Sequence, residues 1–269
     1  MKTSLLVVLI AASTLGYTTT KAAITDGLVL HETFDGTLDV ATAMGGVAVF
    51  ADGKFGQAAA LGGGWYASLG DSLNSVYGGD WSVSLWVYGT VSGDTTIISN
   101  KNWGDGNNIG WGIFNNNSGK LNWATATSGR SPGPGTGGTT GGWGSSDARA
   151  NFTGTSWHSL IATFEKSTKT MSFYMDGALI AQSTIAFSGA EGETLATSLS
   201  TNIGADGNGA YKSPSSVRVD DVGFWDRIIT GEEIALLQTQ AIPEPSTYGL
   251  IVGGLLFLSV GIAKRRRNK

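Results

Sequence analysis

Residues 81–88 read Trp81-Ser82-Val83-Ser84-Leu85-Trp86-Val87-Tyr88. Trp81, Val83, Leu85 and Val87 alternate with Ser82, Ser84, Trp86 and Tyr88, the two-residue period of a strand. The period recurs downstream at Leu160, Ala162 and Phe164, and again at Met171, Phe173 and Met175. Asp176-Gly177 then predicts a two-residue turn into a returning strand over residues 178–181. Residues 111–114 and 120–123, joined by Asn115-Asn116-Asn117-Ser118-Gly119, predict a second hairpin. Residues 217–225 read as the last long strand. One helix is predicted after it. Thr230 with Glu233 three residues on is a capping-box pattern, and Ile234 and Leu237 follow at helical spacing. Roughly a dozen short strands between Gly, Asn, Asp and Ser turns, with one short terminal helix, predict an all-β sandwich of the jelly-roll kind.

Composition narrows the chemistry. The 269 residues hold 41 Gly, but nine Trp, ten Phe and seven Tyr can build a core, so the chain is not a disordered one. The glycines lack a triplet period, which excludes collagen. With no Cys, disulfide frameworks, thiolate zinc sites and Cys nucleophiles are excluded. Two His, His31 and His158, are too few for a His-rich transition-metal site. Residues 128–146 form a Gly/Ser/Thr/Pro stretch that reads as a long surface loop.

The two ends read as addresses rather than fold. Met1-Lys2, an apolar run over residues 5–12 and a small residue at Ala22 predict a signal peptide over residues 1–22. At the other end, Pro243-Glu244-Pro245 lies in a linker over residues 241–247. An apolar stretch of sixteen residues follows at 248–263, then a basic tail at 264–269. An apolar stretch closed by Lys264, Arg265, Arg266 and Arg267 predicts a short transmembrane segment with its basic end in the cytoplasm. This tail resembles the PEP-CTERM sorting signal of Gram-negative bacteria, carried by Pro243, Glu244 and Pro245 and by Arg265, Arg266 and Arg267. The resemblance implies that an exosortase, a membrane transpeptidase-like enzyme, removes the tail. It also implies a transient inner-membrane intermediate and delivery to the cell surface or an exopolysaccharide matrix. Between the ends, residues 22–242 hold ten Lys and Arg against twenty Asp and Glu, a net charge of −10. That balance argues against nucleic acid as a partner.

Several segments of the body resemble the laminin-G-like, concanavalin-A-like jelly rolls of bacterial surface proteins. They are residues 28–36 (LVLHETFDG), 53–59 (GKFGQAA), 81–87 (WSVSLWV), 157–162 (WHSLIA), 173–177 (FYMDG), 219–225 (VDDVGFW) and 229–236 (ITGEEIAL). Their order and spacing place one such domain over residues 23–240. Residues 100–150 depart from the pattern, being longer and richer in Gly.

The same sandwich hosts endoglucanases, so hydrolysis is a second functional class to weigh. A retaining glycosidase needs two carboxylates roughly 5–5.5 Å apart. The Glu residues before the tail are Glu32, Glu165, Glu191, Glu193, Glu232 and Glu233. No E-x-D-x-x-E run occurs, and Glu232 and Glu233 fall in the first turn of the predicted helix. His158 follows Trp157 on a core-like strand and reads as structural. The resemblance implies a structural calcium between the first and last strands, with Asp35 and Asp220 as the matching ligands. Asp220 shares phase with Val222 and Phe224 and is expected to face inward. The alternatives are that it caps a backbone turn or pairs with Arg218 or Arg227. Trp103, Trp111, Trp123 and Trp143 fall in the Gly/Asn-rich stretch and are the candidate sugar-stacking rings. The alternative for each is burial, more so for Trp111 and Trp123 on hairpin strands.

Together these readings describe an exported, non-enzymatic surface or matrix protein that binds glycan or mediates adhesion. Its rivals are a purely structural matrix component and a glycan hydrolase. The tail reading is directly testable. In a host with the matching processing enzyme, the surface fraction should yield a protein ending near Pro245 by intact mass. Retention of residues 265–269 there would refute it.

Overall fold

A computed structural model describes residues 23–90, 93–103, 109–115, 120–126, 150–151, 154–185, 194–214 and 216–244. The signal-peptide segment, the apolar segment at 248–263 and the basic tail lie outside the described residues. Fifteen strands occur among the described residues. In chain order they are β1 (Leu28–Glu32), β2 (Thr42–Met44), β3 (Phe50–Asp52), β4 (Gln57–Ala60), β5 (Tyr66–Ser68), β6 (Trp81–Tyr88), β7 (Thr95–Ser99), β8 (Gly110–Asn115), β9 (Lys120–Ala126), β10 (Ala150–Asn151), β11 (Trp157–Glu165), β12 (Thr170–Met175), β13 (Ala178–Thr184), β14 (Asn202–Ile203) and β15 (Arg218–Trp225). A single helix, α1 (Gly231–Leu237), follows the last strand.

The strands form two antiparallel sheets. One has eight strands in the order β13-β12-β11-β6-β15-β4-β3, with β1 also paired to β15. The other has seven, in the order β10-β9-β8-β7-β14-β5-β2. The alternation read in residues 81–88 holds. Trp81, Val83, Leu85 and Val87 all point into the main core, where they meet Leu160, Ala162 and Phe164 of β11 and Met171 and Phe173 of β12. Trp111, Ile113 and Leu121 reach the same core from the second sheet. Its centre is aromatic: Trp81 and Trp111 sit 4.7 Å apart, and Tyr77 meets both edge-on.

Local chemistry accounts for the connections. Asp176 and Gly177 both adopt left-handed backbone (φ 51° and 77°), the geometry of a tight hairpin turn between β12 and β13. Thr230 and Glu233 form the expected capping box at the start of α1. Arg227 then grips Glu233 with two N–H groups at 2.6 and 2.8 Å. Ile234 and Leu237 pack with Ile24, Ile229 and Ile242 against Ile161 and Trp225, so α1 covers one part of the outer face of the eight-stranded sheet.

The last strand departs from the expected phase. Val217 and Val219 point into the main core, and so do Val222 and Phe224. Both pairs can do so because a bulge interrupts the pairing with β6 between Asp220 and Gly223, with Asp221 in the left-handed region at φ 49°. Asp220 therefore does not share a face with Val222. It lies opposite Trp86, on the outer side of the sheet, buried under the turn at residues 53–56.

The aromatic centre should dominate stability. Trp81→Ala should lower the unfolding free energy by roughly 3–5 kcal/mol, as large-to-small aromatic truncations do. Urea denaturation followed by circular dichroism measures it, and a loss under 1 kcal/mol would contradict the packing described.

Candidate functional site

The outer face of the seven-stranded sheet carries the best-built candidate. In β8, Trp111 and Ile113 face the core, so Gly112 and Phe114 face outward. A side chain at Gly112 would run into the Phe114 ring, so glycine there lets the ring lie down over the strand. The Trp103 indole stacks on that ring at 4.2 Å with 26° between planes. Phe114 is buried while Trp103 is half-buried.

The segment bearing Trp103 is held from behind. The buried Asp206 carboxylate accepts the backbone N–H groups of Trp103 at 2.9 Å and of Ala210 at 2.7 Å. The Gly207 N–H donates to the Lys101 carbonyl at 2.8 Å. Asn202 donates its side-chain amide to the Asp206 carbonyl at 2.7 Å. In sequence, Asp206-Gly207-Asn208-Gly209 shows only a turn; its role as the anchor of Trp103, about a hundred residues earlier, needs the fold.

The other proposed rings fare differently. Trp111 is enclosed in the core, edge-on to Tyr77 and Phe224, and offers no face to a sugar. Trp111 shares its strand face with Ile113, and that pattern carries the correction. Trp123 lies in β9 opposite Ile113, and its side chain is outside the described residues. Trp143 is outside them as well.

Asp35 and Asp220 both serve the turn between β3 and β4. Asp220 accepts the Lys54 and Phe55 N–H groups on one oxygen, at 2.7 and 2.9 Å. Asp35, exposed, accepts the Gln57 N–H at 2.6 Å. The turn-capping alternative thus describes Asp220. Calcium wants six to eight oxygens, and no group of three or more acidic or His side chains suited to a metal occurs among the described residues. One oxygen stands apart: Asp220 Oδ1 is buried and makes no hydrogen bond. Burial first, then the neighbouring Asp221 charge, raises the Asp220 carboxyl to about 7 against the opposing backbone hydrogen bonds.

The hydrolase alternative meets specific geometry. The Glu32 carboxylate accepts the N–H groups of Asp39, Val40 and Ala41, and Glu233 pairs with Arg227. Glu191 and Glu193 lie outside the described residues. His158 is half-buried at a strand end, with Nε2 3.0 Å from Ser156 Oγ and Nδ1 2.7 Å from Asp176 Oδ2. This is the order of a nucleophile relay. However, Asp176 is half exposed and also accepts the Ser159 N–H, which fixes the start of β11.

Comparison with known proteins matches this architecture. Residues 61–235 match Laminin_G_3, the concanavalin A-like lectin/glucanases superfamily, and the chain belongs to that family. Domain 4 of AbnA, a GH43 extracellular arabinanase from Geobacillus stearothermophilus, solved with arabinotriose, is similar in fold. Its TM-score is 0.57 at 20% identity, over 79% of this chain and 98% of that one. The binding domain of botulinum neurotoxin DC, in complex with SialylT, gives 0.53 at 17%, over 80% of this chain and 52% of that one. The Trypanosoma rangeli sialidase with sialic acid gives 0.55 at 15%, over 81% and 33%. None of the curated proteins matches.

Asp220 yields a pH test. Its folded pKa lies above the usual carboxylate value, so between about pH 4 and 7 the folded state binds more protons than the unfolded one. Stability should therefore fall as pH rises across that window. In EDTA, Asp220→Asn should flatten the slope of melting temperature against pH; an unchanged slope would contradict the assignment.

Proposed function

We propose that this chain is an exported, non-enzymatic glycan-binding protein of a cell surface or exopolysaccharide matrix, and that Trp103 is its principal sugar contact. The observation that carries this is the half-exposed Trp103 indole, stacked on Phe114 and borne on a segment whose backbone N–H is held by Asp206. A ring supported in this way is fixed at little entropic cost, and its exposed part offers apolar surface suited to the C–H face of a sugar. Similar folds solved with arabinotriose, SialylT and sialic acid support the ligand class. The exosortase reading of the tail supplies the export route. Ile242 is buried, with its N–H on Asp221, and Glu244 is exposed, and an accessible Glu244 supports reading Pro243-Glu244-Pro245 as a recognition motif.

A glycan array distinguishes binding from a purely structural matrix role. Trp103→Ala should abolish binding to the neutral glycans of the array and leave the melting temperature within about 2 °C. Binding unchanged in that variant would return first place to the structural reading. Calcium enters this proposal at Asp220 Oδ1. If it binds there, EDTA lowers the melting temperature of the wild type and not of Asp220→Ala; an unmoved wild-type curve excludes it.

A further inference from the structure

A second aromatic surface lies on the outer face of the eight-stranded sheet, on the opposite side of the sandwich from Trp103. Trp157 of β11, Tyr88 of β6 and Arg218 of β15 occupy one rung, each paired to the next across the strands. All three are half-buried. The Trp157 and Tyr88 rings sit 5.6 Å apart, tilted by 44°. The Arg218 guanidinium lies 5.4 Å from the Tyr88 ring centre and donates one N–H to the Asp52 carbonyl at 2.9 Å.

The next rung on the same face brings Trp86 and Asp220 together. Here the Lys54 ammonium sits 4.2 Å above the Trp86 ring. Lys54 is placed by the buried carboxylate beneath it, since Asp220 accepts the Lys54 and Phe55 N–H groups. Neither Lys54 nor Arg218 has a carboxylate partner in an ion pair among the described residues. Two such cations beside two half-exposed rings are unexpected in a body of charge −10. A guanidinium has five N–H donors, and the one bond to Asp52 leaves a fork for an anion.

We propose that this rung is a second carbohydrate site, specific for acidic sugars. A uronate ring lays its C–H face on Trp157 and Tyr88, its carboxylate meets Arg218, and Lys54 attracts the next acidic unit. The site does not depend on the Trp103 reading, because the two surfaces lie on different sheets.

Affinity electrophoresis of the full chain tests it, in gels containing alginate, dextran or poly-glutamate. Alginate should retard the protein more than poly-glutamate at equal charge concentration, because poly-glutamate has no ring to stack. Arg218→Ala and Trp157→Ala should each weaken alginate retardation at least ten-fold, and Trp103→Ala should leave it unchanged. Arg218 is half-exposed, so its variant carries the test if Trp157→Ala fails to fold. Four outcomes would overturn the proposal: no alginate retardation, undiminished alginate binding by a folded Arg218→Ala, equal retardation by poly-glutamate, or loss of alginate binding in Trp103→Ala. Loss of neutral-glycan binding alone would count against the Trp103 face and not against this one.

Discussion

The bulge in β15 is the constraint on which much of the molecule depends. This strand pairs with β1, β4 and β6, so its phase sets what reaches the core across half of the eight-stranded sheet. Holding Asp221 in left-handed backbone costs of order 1 kcal/mol or more. In return, the two apolar residues on each side of the bulge all face inward. The same reversal leaves Asp220 under the β3–β4 turn. It also points Asp221 at His31 Nε2 and the Ile242 N–H, at 2.7 and 3.0 Å. One bulge thus sets the core, secures the first strand and anchors Ile242 after α1.

What the sequence disclosed follows the range of the forces involved. The alternation in β6, the Asp176-Gly177 turn and the Thr230–Glu233 box are local, and each appears in the structure as read. The phase of Asp220 was misread because a single-period reading of residues 217–225 assumes a regular strand. The adjacent Asp220-Asp221 pair before Gly223 was the available sign, since Asp tolerates left-handed backbone better than most residues. The supports of the candidate sites were not legible. Asp206 reaches Trp103, and Arg218 reaches Tyr88, only after strands far apart in sequence come into register.

The two outer faces are built by different means. On the seven-stranded sheet, glycine lets one ring lie flat and a buried carboxylate fixes the segment that lays a second ring upon it. On the eight-stranded sheet, α1 covers one part, and the rest carries rings flanked by cations. Both arrangements hold their groups fixed, the condition under which a binding surface loses least entropy. Neither arrangement requires bond-making chemistry, which supports the binding role proposed above.

The most direct measurement is the indole N–H region of the NMR spectrum during titration with the neutral glycan that binds most strongly on the array, with the Trp103 resonance assigned by Trp103→Phe. On this account the Trp103 signal shifts with saturation, while those of the core residues Trp81, Trp111 and Trp225 stay in place. A spectrum in which no indole signal moves, or in which the core signals move and Trp103 does not, would contradict it.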